Sequence, residues 1–213
     1  MIDLYTWTTP NGRKVSIMLE ELGLPYRSHP IEISKGDQYS DEFSAINPNS
    51  KIPAIVDNDG PDGEPITIFE SAAILMYLAE KTGSALLPSE TRAYYQVMQW
   101  VMLQMGSVGP IFGQVHHYYR AAKEDVPYAK KRYHDETRRL YGVLNRRLEE
   151  TAFLAGAEYS IADIATYPWV ARFDWHKVDP NEFPAVKSWF DKLSARPAVA
   201  KGMGVPHYER KGK

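Results

Sequence analysis

The chain has 213 residues, of which 44% are hydrophobic and 24% charged, and its formal net charge is −2. This is ordinary globular composition, with enough length for one large or two small domains, and the small negative charge argues against general nucleic-acid binding. No apolar run reaches the roughly 18 residues of a membrane helix, and the chain opens on a strand pattern instead of a signal peptide. We therefore expect a cytoplasmic protein that binds neither membranes nor nucleic acid.

The sequence contains no cysteine. A disulfide, a thiolate nucleophile, a zinc–cysteine site and a Cys-x-x-Cys redox motif are therefore excluded. If this protein takes part in thiol chemistry, the sulfur has to come from a ligand. We also predict no metal site, because His116 and His117 point about 100° apart on a helix. These histidines could line the second-substrate pocket, or they could have a packing or surface role.

The first part of the sequence predicts alternating strands and helices. Thr9 and Pro10 suit the N-cap and first position of a helix, and Gly23 suits its end. Strand patterns occupy residues 2–7, 26–33, 52–57 and 66–69, and helical patterns begin near residues 10, 40 and 71. The order βαβαββα predicts a thioredoxin-like domain over residues 1–84.

The rest of the sequence predicts helices only. After a linker at 86–88, one long helix begins at Ser89, with a disturbance between 106 and 110, and a second begins at Pro127. Ser160 and Asp163 have the spacing of a capping box, and a further helix covers residues 184–194. We therefore predict a mixed chain, α/β followed by an all-α bundle over residues 89–213.

Two segments point to a binding pocket. Residues 50–56 predict a strand entered through Pro53, and Glu70 and Ser71 precede a helix whose N-terminus can bind an anion. Glu70 can hold a cation beside that anion, as in the ammonium and carboxylate of one amino acid. An extended peptide could also pair with the backbone next to Pro53. Together these features predict a pocket for a short peptide with a free amino-acid end.

Residues 51–55 with Glu70 and Ser71 resemble the glutathione-binding half of glutathione transferases. The capping box and residues 194–198 resemble the helical domain of the same family. The resemblance implies the glutathione transferase fold, a cis bond before Pro53, glutathione as a co-substrate without a metal, and a homodimer.

The start of the first helix departs from the commonest family pattern, which has Tyr, Ser or Cys there. Residues 9–15, 36–38, 47–51 and 113–117 instead resemble the nu class and the related fungal nitrogen-regulator/prion protein. That resemblance implies that Thr9 donates to the glutathione sulfur, with Asn11 beside it. It also implies a glutathione-binding set in which the last residue comes from the second subunit: Gln38, Lys51, Ile52, Pro53, Glu70, Ser71 and Arg132.

Each of these residues also has an ordinary structural explanation. Thr9 and Ser71 could be helix caps, Asn11 a turn residue, and Pro53 the mark of an edge strand or a turn. Gln38 could be solvated in its loop, and Arg132 could belong to a charged helix face. The joint occurrence of these residues at these spacings favours a glutathione-binding site.

The resemblance implies a glutathione-dependent disulfide-bond oxidoreductase that uses two glutathione molecules, which agrees with the absence of cysteine. Reduction of organic hydroperoxides and weak conjugation of electrophiles are expected as secondary activities. Two alternatives stay open: an ordinary conjugating transferase, and a non-catalytic regulator that binds glutathione.

Overall fold

A computed structural model describes residues 1–207, and the chain divides into two compact units. The first unit comprises Met1–Ser84 with the segment that begins at Arg196, and the second comprises Ala85–Ala195. The sequence-based division placed all of 89–213 in the helical domain, so the assignment of the last segment differs. Its residues 208–213 lie outside the described part.

The first unit is built on a four-stranded sheet in the order β2-β1-β3-β4. The strands β1 and β2 are parallel, whereas β3 runs antiparallel to both β1 and β4. The strands and helices in chain order are β1 (Ile2–Thr6), α1 (Pro10–Leu22), β2 (Tyr26–Pro30), α2 (Asp41–Ile46), β3 (Ala54–Asp57), β4 (Ile66–Phe69) and α3 (Ser71–Thr82). This is the predicted thioredoxin-like order.

Three predicted strands are shorter than their patterns, and β1 lacks only the last predicted residue, Trp7. The strand β2 ends at Pro30 instead of residue 33, and β3 begins at Ala54, after Pro53. Both limits coincide with a proline, which cannot donate a backbone hydrogen bond to a neighbouring strand. The core of this unit consists of fully buried aliphatic residues from the sheet and from α1 and α3, among them Leu4, Ile17, Leu19, Ile55, Ile74, Leu75 and Leu78.

The second unit is helical. Its helices are α4 (Thr91–Leu103), α5 (Gly109–His116), α6 (Pro127–Glu150), α7 (Ile161–Val170), α8 (Phe173–His176) and α9 (Pro184–Ser194). The disturbance expected between residues 106 and 110 is a π-helical segment, Gln104–Val108, through which the chain stays helical. The helix α4 begins later than predicted, because the carboxylate of Glu90 accepts hydrogen bonds from the N–H groups of Arg92 and Ala93 and so forms the cap.

The predicted capping box starts α7. Asp163 is fully buried and accepts hydrogen bonds from the N–H groups of Ser160 and Leu154 and from the indole of Trp189. This carboxylate therefore joins three separate stretches of the helical unit. Within residues 1–207, no helix combines the length and apolar character needed to cross a membrane.

A last helix, α10 (Pro197–Met203), packs against α1 in the first unit. The hydroxyl of Ser16 donates to the carbonyl of Gly202 over 2.7 Å, and a Cβ on Gly202 would lie 2.5 Å from the Cα of Ile17. Arg196 also pairs with Glu21 through two hydrogen bonds of 2.8 and 2.7 Å. These contacts explain why the segment from Arg196 groups with the sheet.

Candidate functional site

The pairing of three strands brings the predicted site segments to one edge of the sheet. Tyr5 near the end of β1 and Phe69 at the end of β4 both pair with Ala54, the first residue of β3. The segments just beyond these strand ends therefore lie side by side. They are the loop 7–9 before α1, the bond between Ile52 and Pro53, and the Glu70–Ser71 step into α3.

Thr9 is the N-cap of α1. Its hydroxyl oxygen accepts a hydrogen bond from the N–H of Gly12 over 3.2 Å, and Pro10 occupies the first helical position. A hydroxyl can accept and donate at once, so capping leaves its own proton for a second partner. The N-terminus of this 13-residue helix carries partial positive charge. A thiolate near Thr9 would therefore be stabilised by the hydroxyl of Thr9 and by the helix N-terminus. Asn11 is half-buried in the first turn.

The peptide bond between Ile52 and Pro53 is cis, as the family resemblance implied. Pro53 is buried and Ile52 half-buried, whereas the side chain of Lys51 is exposed. The carbonyl of Lys51 accepts a hydrogen bond of 2.6 Å from the amide of the buried Asn47. This hydrogen bond ties the backbone that leads into β3 to the preceding loop, which contains Asn47.

Glu70 occupies the N-cap position of α3 with φ 70° and ψ 115°. A non-glycine residue with positive φ costs energy of the order of 1–3 kcal/mol, and such strain is concentrated at functional sites. Its side chain makes no capping bond and is exposed. Ser71 is therefore not the cap but the first residue of the helix, and it is 3% exposed.

Lys14 is a buried neighbour of Ser71 that the sequence did not lead us to expect there. It lies on α1, is 1% exposed, and donates a hydrogen bond from Nζ to the Oγ of Ser71 over 3.2 Å. Burial lowers the pKa of this lysine to about 7, and the nearby Glu70 carboxylate opposes that shift. The sequence did carry a signal, since Lys14 is four residues before the core residue Met18 and so shares its helix face.

Gln38 lies in a short 3₁₀ turn, Asp37–Tyr39, on the segment that follows β2. That segment starts at the same sheet edge, because the N–H of Ile31 donates to the carbonyl of Thr6. The Oε1 of Gln38 is buried and has no hydrogen-bond partner within residues 1–207. It is therefore an acceptor that a ligand could satisfy.

Arg132 belongs to the second unit, where it lies on α6. It is exposed and contributes to an open groove that also includes Ile111, Tyr128 and Tyr133.

His116 packs inside the helical unit, whereas its neighbour His117 is exposed. The ring of His116 stacks on His176 with centroids 4.7 Å apart and on Trp169 at 5.6 Å. Burial, assisted by Arg172 and Arg120, lowers the pKa of His116 to about 4. Within the described residues, no three histidine or carboxylate side chains are grouped so that they could hold a metal ion.

Comparisons with known proteins agree with this architecture. Family models of the glutathione S-transferase N-terminal and C-terminal domains match residues 8–81 and 110–197. The disulfide-bond oxidoreductase YfcG of Escherichia coli is 50% identical over 204 residues, covering 95% of this chain and 94% of its own.

Two solved structures are also similar. A glutathione transferase from Burkholderia graminis, with two glutathione molecules per subunit, is 45% identical with a TM-score of 0.91, covering 99% of this chain and 89% of its own. One from Pseudomonas putida, with one glutathione disulfide per subunit, is 44% identical with a TM-score of 0.92, covering 96% and 91%. Because family models match both halves of the chain and a relative is similar over nearly its whole length, the chain belongs to the glutathione S-transferase family.

Proposed function

We propose that this chain is a glutathione-dependent disulfide-bond oxidoreductase. The observation that carries the proposal is the absence of cysteine from the whole chain. Reducing a disulfide takes two electrons, and here no protein thiol can supply either of them, so both come from glutathione. The relatives crystallised with two glutathione molecules, or with glutathione disulfide, support a pocket that holds both thiols.

In the proposed complex the first glutathione lies along the sheet edge. Glu70 accepts hydrogen bonds from the γ-glutamyl ammonium, while Ser71 and the N-terminus of α3 take the carboxylate. The backbone of Ile52, fixed before Pro53, pairs with the central cysteine of the tripeptide. Gln38 and Lys51 contact its far end.

Thr9, with Asn11 beside it, activates the sulfur. A free thiol has a pKa near 8.5, so it is mostly protonated at neutral pH. The hydroxyl of Thr9 and the N-terminus of α1 favour the thiolate and lower that pKa. The thiolate attacks one sulfur of the substrate disulfide, forms a mixed disulfide and releases the other sulfur as a thiolate. A second glutathione thiolate then attacks the mixed disulfide, giving glutathione disulfide and the second substrate thiol.

The proposal extends to the assembly and to side reactions. Arg132 of a second copy completes the site in a homodimer, which gives its exposed position a role.

The same glutathione thiolate reduces organic hydroperoxides and conjugates electrophiles weakly. We place the protein in the cytoplasm, where thiols are kept reduced.

The test is steady-state turnover by purified protein with glutathione and hydroxyethyl disulfide, compared with chlorodinitrobenzene. We expect the disulfide to be the faster substrate, because displacement from an aromatic ring needs extra stabilisation of a charged intermediate. A clear reverse ranking would establish a conjugating transferase, and glutathione binding without any turnover would establish a regulator.

A matched pair of variants tests Thr9. Thr9→Ser keeps the hydroxyl and the cap, whereas Thr9→Val removes both. Ultraviolet titration of the bound thiolate should show a raised thiol pKa in Thr9→Val only, with a parallel loss of turnover. An unchanged pKa in Thr9→Val would exclude the hydroxyl as the donor.

A further inference from the structure

The first turn of α1 contains a chemically labile pair, Asn11 followed by Gly12. Asn11 is the only asparagine of the chain that precedes a glycine. In such a pair the glycine nitrogen can attack the side-chain amide carbon of the asparagine, because no side chain hinders its approach. Asparagine is accordingly one of the thermolabile residues of proteins. The sequence therefore places a potential deamidation site at the start of the helix that Thr9 caps.

The structure explains why position 12 is a glycine. A Cβ at Gly12 would lie under 3.0 Å from the hydroxyl oxygen of Thr6 and from the carbonyl oxygen of Trp7. A larger residue would slow the attack by shielding the backbone nitrogen, but it cannot enter this position unless the loop before the helix moves. The lability of the pair is therefore a consequence of close packing at Gly12.

The hydrogen bond from Gly12 to Thr9 opposes the attack. The N–H of Gly12 belongs to the first turn, where a helix offers no carbonyl acceptor of its own. It donates instead to the hydroxyl oxygen of Thr9 over 3.2 Å. Closure of a five-membered ring also requires a backbone ψ at Asn11 that an α-helix does not have. Asn11 can therefore react only when the first turn opens.

We propose that Asn11 is a modification site, and that the hydroxyl of Thr9 limits the rate at which it deamidates. When the turn opens, the nitrogen of Gly12 loses its proton to the solvent and bonds to the side-chain carbonyl carbon of Asn11. The bond from that carbon to the amide nitrogen breaks, ammonia leaves, and a succinimide is formed. Water then opens the ring and gives aspartate or isoaspartate at this position.

Either product alters the start of α1. Isoaspartate adds one carbon atom to the backbone next to Gly12, where the structure has no space for a further carbon. The first turn cannot close around it, so the cap by Thr9 is lost. Aspartate keeps the backbone and adds a negative charge. That charge would oppose a thiolate near Thr9, a consequence that rests on the proposed function, whereas the deamidation itself does not.

The experiment compares wild type with Thr9→Val, which removes the acceptor of the Gly12 N–H, and with Thr9→Ser, which keeps it. The full-length proteins are incubated without ligand at mildly alkaline pH, and peptide mass spectrometry follows the deamidation of Asn11 with time. Loss of an N-cap increases the population of the opened turn, so the rate in Thr9→Val should rise roughly 2- to 30-fold. The rate in Thr9→Ser should stay close to that of wild type.

Asn49, which precedes Ser50, is the internal control in every sample. The N–H of Ser50 donates to the carbonyl of Asn47 over 2.8 Å, so this hydrogen bond does not involve Thr9. The rate at Asn49 should therefore be the same in all three proteins. Wild type unfolded in urea gives the unprotected rate at Asn11, and this comparison does not require either variant to fold.

The outcomes test this inference separately from the proposed function. A rise at Asn11 alone in Thr9→Val supports it, and so does slower deamidation of Asn11 in native wild type than in urea. If Thr9→Val reacts at the wild-type rate, if Asn49 accelerates in parallel, or if native and unfolded wild type react equally fast, the inference is wrong. None of these results depends on glutathione, so the oxidoreductase proposal stands or falls by its own turnover assay.

Discussion

Replacing Gly12 by alanine would add a methyl group where the structure has no room for one. A Cβ on Gly12 would lie under 3.0 Å from the carbonyl oxygen of Trp7 and from the hydroxyl oxygen of Thr6. The first of these atoms belongs to the backbone of the loop that leads to Thr9, and Thr6 is fully buried. Neither can turn aside, so the loop itself has to move.

The size of the effect follows from that displacement. Ordinary van der Waals contact of a Cβ begins at about 3.4 Å, so the loop must retreat by roughly 1 Å. Overpacking of this kind typically costs about 1–3 kcal/mol. For a chain of this length, a loss of 1 kcal/mol lowers the melting temperature by about 2–4 °C. Since Thr9 moves with the loop, turnover with glutathione should fall by about two orders of magnitude.

Gly142→Ala is the matched control. Gly142 lies within the long helix α6, where a Cβ would meet only the flexible end of Arg146, at 3.6 Å. Alanine is the better helix former by about 0.5–1 kcal/mol, so this variant should be as stable as wild type or more so, with unchanged turnover.

Thermal unfolding and steady-state turnover with glutathione and hydroxyethyl disulfide are measured for both variants. If Gly12→Ala melts within a degree of wild type and keeps its turnover, the loop is not confined as described. In that case the start of α1 has room for a side chain at position 12.

The other predictions concern ligand binding and pH. Glu70→Ala should weaken glutathione binding by about 1.5–3 kcal/mol, because a charge-assisted hydrogen bond is lost; unchanged calorimetric affinity would contradict the role given to Glu70. Arg132→Ala should weaken glutathione binding while leaving the unfolding midpoint almost unchanged, since an exposed arginine contributes little to folding; a monomer with full activity in sedimentation would exclude a contribution across subunits. Because the pKa of His116 is lowered to about 4 in the folded protein, the unfolded chain binds more protons between pH 6.5 and pH 4. The free energy of unfolding should therefore fall by about 1–3 kcal/mol as the pH drops through this range. Urea titrations should show a smaller fall in His116→Phe, which keeps an aromatic ring against Trp169, and parallel profiles for the two proteins would contradict the assignment.

Much of the fold could be predicted because its signals are local. Pro10 at the start of α1, the left-handed Gly23 at its end, and the box formed by Ser160 and Asp163 each act within a few residues. The predicted ends of the strands were less accurate. Pro30 and Pro53 end the backbone pairing of β2 and β3, and where pairing ends depends on the neighbouring strands.

The sequence by itself determined the order of strands and helices, the cap at Thr9 and the step from Glu70 to Ser71. These depend on backbone propensities and on hydrogen bonds between near neighbours, so a residue and its context in the chain are enough to predict them.

Only the tertiary structure decided how distant segments meet. The burial of Lys14 against Ser71, the absence of space at Gly12 and Gly202, and the stacking of His116 on His176 each join residues through packing. The periodicity of a helix shows which residues share a face, but not which atom from another segment lies against that face. The contact between Lys14 on α1 and Ser71 on α3 is one such meeting, and neither helix shows it alone.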